Sequence, residues 1–139
     1  MSLIVPGLYL GDRADSEACK YDFVVNCTDD LPFKCPKTVY MRLPVRDNLE
    51  ASQMTRLLAL LPAAVAAIDA HLNAGNTVLV HCMMGMQRSA AVAAAYLMWK
   101  FQLTAAQAVE FVRKRRSVAF FWSVNFQPTL EAWALRLKK

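Results

Sequence analysis

No two of the four cysteines, at positions 19, 27, 35 and 82, have the C-x-x-C spacing of a zinc knuckle or a dithiol redox motif, so no metal site is expected. A nucleotide-binding G-x-x-x-x-G-K loop is missing too, which leaves ATP or GTP chemistry without support. The longest apolar run, Leu57 to Ile68, has twelve residues and contains Pro62. That is too short to span a bilayer, so no membrane partner is expected. The N-terminus lacks a basic region followed by a long apolar one, and secretion is not expected. With no internal repeat and no linker composition, residues 1–139 read as one domain. The cysteines lie in apolar surroundings and read as reduced thiols in an intracellular compartment, cytoplasmic or nuclear.

What the chain does have is core-forming residues. Hydrophobic residues make up 56% and charged residues 19%, which excludes a disordered tail or a low-complexity segment. The net charge of +5 fits an anionic substrate, nucleic acid or nothing specific. Short β-type runs come first: Leu8-Tyr9-Leu10, Phe23 to Cys27 and Thr38 to Leu43. A short helix is expected within Asp12 to Lys20. Ser52 is the expected N-cap of the segment that follows. Leu57, Leu58, Leu61, Val65, Ile68 and Leu72 form one helical stripe, and Pro62 is expected to start that helix rather than sit inside it. Thr77 to His81 reads as a strand buried on both faces. Helices are expected from Ser89 to Lys100, from a Thr104 cap to Arg116, and from Phe126 to Leu137. Strands alternating with helices predict an α/β fold with a mainly parallel, twisted central sheet of four to five strands flanked by helices.

The chemistry concentrates in Val78 to Ser89, a strand, a tight loop and the start of a helix. Ligands of open α/β sheets sit at the carboxyl ends of strands, and a helix N-terminus attracts anions. Gly85 permits a turn and close approach of an oxyanion. Arg88, six residues after Cys82, brings a planar fork suited to two phosphate oxygens. The same positive field favours the thiolate of Cys82, the form able to attack phosphorus. The Ser89 hydroxyl is placed to donate to that sulfur and help it leave.

His81-Cys82-x5-Arg88-Ser89 resembles the HCxxGxxRS signature of the cysteine-dependent protein phosphatases, and within them of the small dual-specificity phosphatases. Leu8 to Gly11, Val24 to Thr28, Leu43 to Asn48 and Ala108 to Arg116 resemble further segments of that family, so the likeness covers nearly the whole chain. It extends to minimal, catalytic-domain-only members, some of them viral. The resemblance implies hydrolysis of phosphotyrosine and phosphoserine or phosphothreonine through a phosphocysteine, with no cofactor and with phosphoproteins as substrates. It makes Met83, Met84, Gly85, Met86, Gln87 and Arg88 the substrate-binding loop, with Met84 and Gln87 on its rim where the family usually has Ala and Ser. The segment from Ser117 to Phe126 lacks the usual Pro-Asn pair, and Asn125 is the candidate to steady the loop in its place.

The resemblance also points to Asp47, 35 residues before Cys82, as general acid and then base, with Glu50 as the alternative. Asp29 and Asp30 read as surface residues, and His71 as a solvated helix residue. His81 reads as a hydrogen-bonded support. Cys27 is either an inert buried hydrophobe or a redox partner for Cys82. The run Arg113-Lys114-Arg115-Arg116 reads as a cationic helix end, with docking of an acidic phosphoprotein, nuclear import or RNA contact as the sharper alternatives. Phe120, Phe121 and Trp122 are either core or a lip for a phosphotyrosine ring. Two other functions compete with the leading reading. One is the same chemistry on RNA 5′ ends or phosphoinositides, made less attractive by Ser89-Ala90 after the arginine and by the uncharged loop. The other is a non-catalytic phosphate-binding module. Nucleic acid is not expected as a partner, and the oligomeric state is not legible.

Overall fold

The run Val78-Leu79-Val80-His81 is buried at every position and forms the middle strand of the sheet. The computed structural model describes residues 1–46, 48, 50–120 and 126–138. Five strands lie in the order β1 (Ser2–Val5), β2 (Leu8–Gly11), β5 (Val78–His81), β3 (Phe23–Asn26) and β4 (Val39–Arg42). All neighbours are parallel except β1 and β2, which form an antiparallel hairpin. Its turn is Pro6-Gly7, with Gly7 at φ +86°, the positive value that favours glycine. β1 precedes the first strand expected from the sequence, which starts at Leu8. The expected α/β class and mainly parallel sheet are what the fold has.

One face of the sheet carries four helices: α2 (Ala51–Asn73), α3 (Arg88–Phe101), α4 (Ala105–Arg115) and α5 (Gln127–Leu137). α3 lies at the centre of this layer, buried from Arg88 to Met98. Its alanines at 90, 91, 93, 94 and 95 are all at zero exposure and let its neighbours approach closely. Two polar links tie the layer together. Tyr96 Oη donates to Asp69 Oδ1 of α2 at 2.9 Å, and Trp133 Nε1 of α5 donates to the Ala95 carbonyl at 3.1 Å. The opposite face of the sheet is thinner, with Tyr21, Val24 and Leu79 buried and Tyr9 and Tyr40 packed against them. There the short helix α1 (Arg13–Ser16) is closed by a reciprocal capping box between Asp12 and Asp15.

Four expectations need correction. Pro62 lies inside α2 rather than at its start. The proline faces solvent, while Leu57, Leu61, Ala64, Val65 and Ile68 bury both halves of the helix on one face, which offsets a lost backbone hydrogen bond. Ser52 is not the N-cap: Glu50 is, and it makes no side-chain cap bond. α2 is also long and apolar enough, by length and composition, to cross a membrane. Counting only the uninterrupted twelve-residue run hid this, and in this fold the helix lays its apolar stripe on the core. His71 is half-buried rather than solvated, its ring stacked on Phe23 with centroids 4.0 Å apart.

The cysteines hold a further correction. Cys19 and Cys35 form a disulfide with a Cα–Cα distance of 5.5 Å, leaving Cys27 and Cys82 free. Nothing in the local sequence signals this pairing, because it joins the chain after α1 to the chain before β4 across a separation of 16 residues. The reading of four reduced thiols therefore fails for two of them. A loop of that size implies about 3 kcal/mol of stabilisation from the crosslink. Urea unfolding with and without a mild reductant should differ by about that much. The Cys19→Ser, Cys35→Ser double variant should match the reduced protein and show no response to reductant.

Candidate active site

The segment from Cys82 to Gln87 connects the carboxyl end of β5 to the N-terminus of α3. Its backbone is oriented by what its carbonyls bind. The Met83 carbonyl accepts from the N–H of Arg13 at the start of α1, at 3.1 Å. The Met84 and Gly85 carbonyls accept from Nη2 and Nε of Arg116, at 3.2 and 2.9 Å. The Met86 carbonyl takes the Phe120 N–H at 2.7 Å, and the Gln87 carbonyl takes the Ala91 N–H at 2.9 Å. Every carbonyl from 83 to 87 is thus drawn outward. Among the described residues, no acceptor takes the N–H groups of Met83 to Gln87. They are left to one another and to the positive end of α3, a backbone nest for an anion.

Gly85 is required at its place. It has φ +68°, and a Cβ there would lie 2.5 Å from the Gly11 carbonyl oxygen and 2.7 Å from Arg116 Nη2. No other residue fits between the β2 end and the arginine.

Cys82 Sγ lies 3.1 Å from Ser89 Oγ, both groups being buried. When the sulfur is a thiolate, the hydroxyl is the donor. Arg88 is only 7% exposed. Its Nη1 donates to the Val45 carbonyl at 2.9 Å, while its buried Nε has no acceptor among the described residues. A buried guanidinium donor without a partner is costly, so this atom marks where an oxyanion is wanted. His81 is buried with Nδ1 3.2 Å from the Cys82 carbonyl. Burial, assisted by the Arg88 charge, moves its pKa down despite that hydrogen bond. A neutral ring with a proton on Nδ1 donates to the carbonyl and steadies the turn into the loop.

The other candidates divide. Asp47 and Asn125 lie outside the described residues, as do Phe121 and Trp122. Val45 and Arg46 are anchored: Arg88 holds the Val45 carbonyl, the Arg46 side chain takes Asp29 at 2.8 Å and the Arg46 N–H donates to Gln53 Oε1 at 2.9 Å. Glu50 is an exposed helix cap. Asp29 and Asp30 are exposed, as expected. Gln87 is not on the rim: it is 2% exposed, and neither end of its amide has a partner among the described residues. Met84, by contrast, is exposed. Cys27 sits beside the site, its N–H donating to the His81 carbonyl at 2.8 Å. Burial pushes its thiol well above the usual range, which favours the inert-hydrophobe reading over a reactive partner. Phe120 is core, fully buried.

The basic run is the cationic last turn and cap of α4, as expected, and its side chains are engaged within the fold. Arg113 holds the Ala119 and Phe120 carbonyls, Lys114 pairs with Glu110, and Arg115 lies over the Phe111 ring. Arg116, just past the end of α4, is the clamp on the catalytic loop and also reaches Ser2 Oγ at 3.2 Å. Its role was missed because it depends on contacts 31 and more residues away. Replacing it should loosen the loop. Arg116→Ala should cost about 2–3 kcal/mol in urea unfolding, the scale of lost charge-assisted bonds. It should also weaken competitive inhibition by inorganic phosphate. Arg116→Lys should recover little, since an ammonium cannot span the same carbonyls in a planar fork.

Residues 8–135 match the family model described as dual specificity phosphatase, catalytic domain. The Dual specificity protein phosphatase 2 of Mus musculus is 35% identical over 122 residues, covering 83% of this chain and 37% of that protein. The Tyrosine-protein phosphatase vhp-1 of Caenorhabditis elegans is 31% identical, covering 84% of this chain and 18% of its own length. The chain thus spans little more than a third of the mouse relative. Among solved structures, human DUSP28 superposes with a TM-score of 0.85 at 30% identity, covering 99% of this chain and 98% of that one. The family model covers most of the chain, and the chain belongs to the dual-specificity phosphatases.

Proposed function

We propose that this chain hydrolyses phosphate monoesters of tyrosine and of serine or threonine in phosphoproteins, through a phosphocysteine intermediate. The observation that carries this reading is the buried Nε of Arg88, without a partner among the described residues, together with the Cys82–Ser89 contact and a loop whose carbonyls are all taken by donors of the fold. Loop N–H groups and the Arg88 fork take the phosphoryl oxygens and hold them as charge develops. Cys82 Sγ attacks phosphorus, and the ester oxygen leaves with a proton from the general acid, for which Asp47 is the candidate. Asp47, now ionised, takes a proton from water, whose oxygen attacks phosphorus. The sulfur departs as a thiolate stabilised by the Ser89 hydroxyl. No step calls on a metal or an organic cofactor. The uncharged side chains of Met83, Met84 and Met86 support protein substrates over polyanionic lipids.

Cys82→Ser should abolish turnover of an aryl phosphate while still binding it, because a hydroxyl is a far weaker nucleophile than a thiolate. Arg88→Ala should lose both binding and rate. Full activity in Cys82→Ser, or activity abolished by a chelator, would sink the mechanism.

Asp47→Asn should slow esters with poor leaving groups by roughly 10²–10⁴-fold while sparing good ones, since protonation matters only where a basic oxygen departs. Equal slowing of both ester types would remove Asp47 from the role and bring Glu50 forward.

A further inference from the structure

The catalytic loop keeps two large apolar side chains in solvent. Met83 is 40% exposed and Met84 62%, although Arg13 and Arg116 fix the backbone at both positions through their carbonyls. These are unbranched, polarizable thioethers on a hydrogen-bonded backbone, directly after the nucleophile.

The charges around the loop supply a second observation. The chain carries +5, a charge compatible with acidic substrates. The arginines near the site are nevertheless engaged within the fold. Arg116 holds two loop carbonyls and Arg113 two carbonyls just beyond α4. Arg42 donates to the Thr28 and Leu31 carbonyls with its plane over Phe33. Arg46 pairs with Asp29 and Arg13 with Glu17. A guanidinium bound to carbonyls or neutralised by a carboxylate is a weak reader of acidic residues in a substrate.

We infer that Met83 and Met84 form an apolar lip that selects phosphorylated segments with an apolar residue next to the phospho-residue, and that this basic protein does not select acidic flanks. The inference rests on the phosphatase reading of the same site. An adjacent Leu or Phe would cover thioether surface as the phosphate enters the nest, and an aromatic flank adds a sulfur–ring contact. Covering roughly 50 Å² of apolar surface corresponds to about a tenfold gain in kcat/KM.

The test uses two phosphotyrosine peptides that differ only in the residues flanking the phosphotyrosine, Leu in one and Asp in the other. Each enzyme is scored by the ratio of its kcat/KM values for the pair, so any general loss of folding or rate cancels. The wild type should favour the Leu peptide about tenfold. Met84→Leu should keep the preference. Met84→Lys, and more weakly Met83→Lys, should remove or reverse it. A wild-type ratio near one, a preference for the Asp peptide, or a ratio unmoved by both lysine variants would overturn the inference. Turnover of an aryl phosphate by the wild type separates the two readings. If it is absent, the phosphatase reading itself has failed. If it is present with a flat peptide ratio, only the lip has failed.

Discussion

The orientation of five consecutive carbonyls in the loop from Met83 to Gln87 is the constraint from which the rest of the site follows. A loop with its N–H groups converging on one point is unfavourable by itself, because like dipoles oppose one another and buried donors cost about 1–3 kcal/mol each when unsatisfied. Drawing each carbonyl outward onto a donor fixed elsewhere makes the arrangement stable before any anion arrives. The donors come from the start of α1, the end of α4, the chain just beyond α4 and the first turn of α3. The nest is therefore built by long-range packing rather than by the loop's own preferences. The anion then meets dipoles already in place, which is the condition for electrostatic stabilisation without reorganisation during the reaction.

That origin explains which parts were legible in the sequence. The middle strand, the loop and the helix after it could be read because each depends on its own residues: an apolar run, a glycine and an alanine-rich segment. Cys82, Arg88 and Ser89 fall where that reading puts them, with the sulfur and the hydroxyl 3.1 Å apart. What could not be read was held by distant partners. Arg116 looked like one of four cations on a helix end, and only the fold brings it to Gly85. Cys19 and Cys35 carry no local motif. Pro62 obeys its usual rule only when the helix must begin there, and the apolar face on either side of it keeps a single helix instead. β1 is different. Leu3-Ile4-Val5 before Pro6-Gly7 is a hairpin signal, and it was passed over in favour of the run that followed.

Net charge is no better a guide to the site. Sixteen basic residues against eleven acidic ones fit an anionic substrate, nucleic acid or nothing specific. Around the site, however, the guanidinium groups serve as cross-links between backbone segments: Arg88 to Val45, Arg42 to Thr28 and Leu31, Arg113 to Ala119, Arg116 to Met84 and Gly85. Planar donors with several N–H groups suit this work better than lysine, because one side chain satisfies two carbonyls at once. A count of charges cannot distinguish an arginine that meets a substrate from one that holds a loop.

The reach of Arg116 depends in turn on the length of α4. Thr104 caps that helix reciprocally with Gln107, and Arg116 closes it at the far end. Ala108, Val109 and Val112 seat it against the core, so its rotation about its own axis is fixed. A helix turns about 100° per residue and rises about 1.5 Å. One residue added or removed between Val112 and Arg116 would therefore swing the guanidinium away from the loop while leaving the cap and the buried stripe in place. The spacing from Val112 to Arg116 is accordingly a property of the candidate site as much as of the helix, and the exposed positions of α4 can vary only while that spacing is kept.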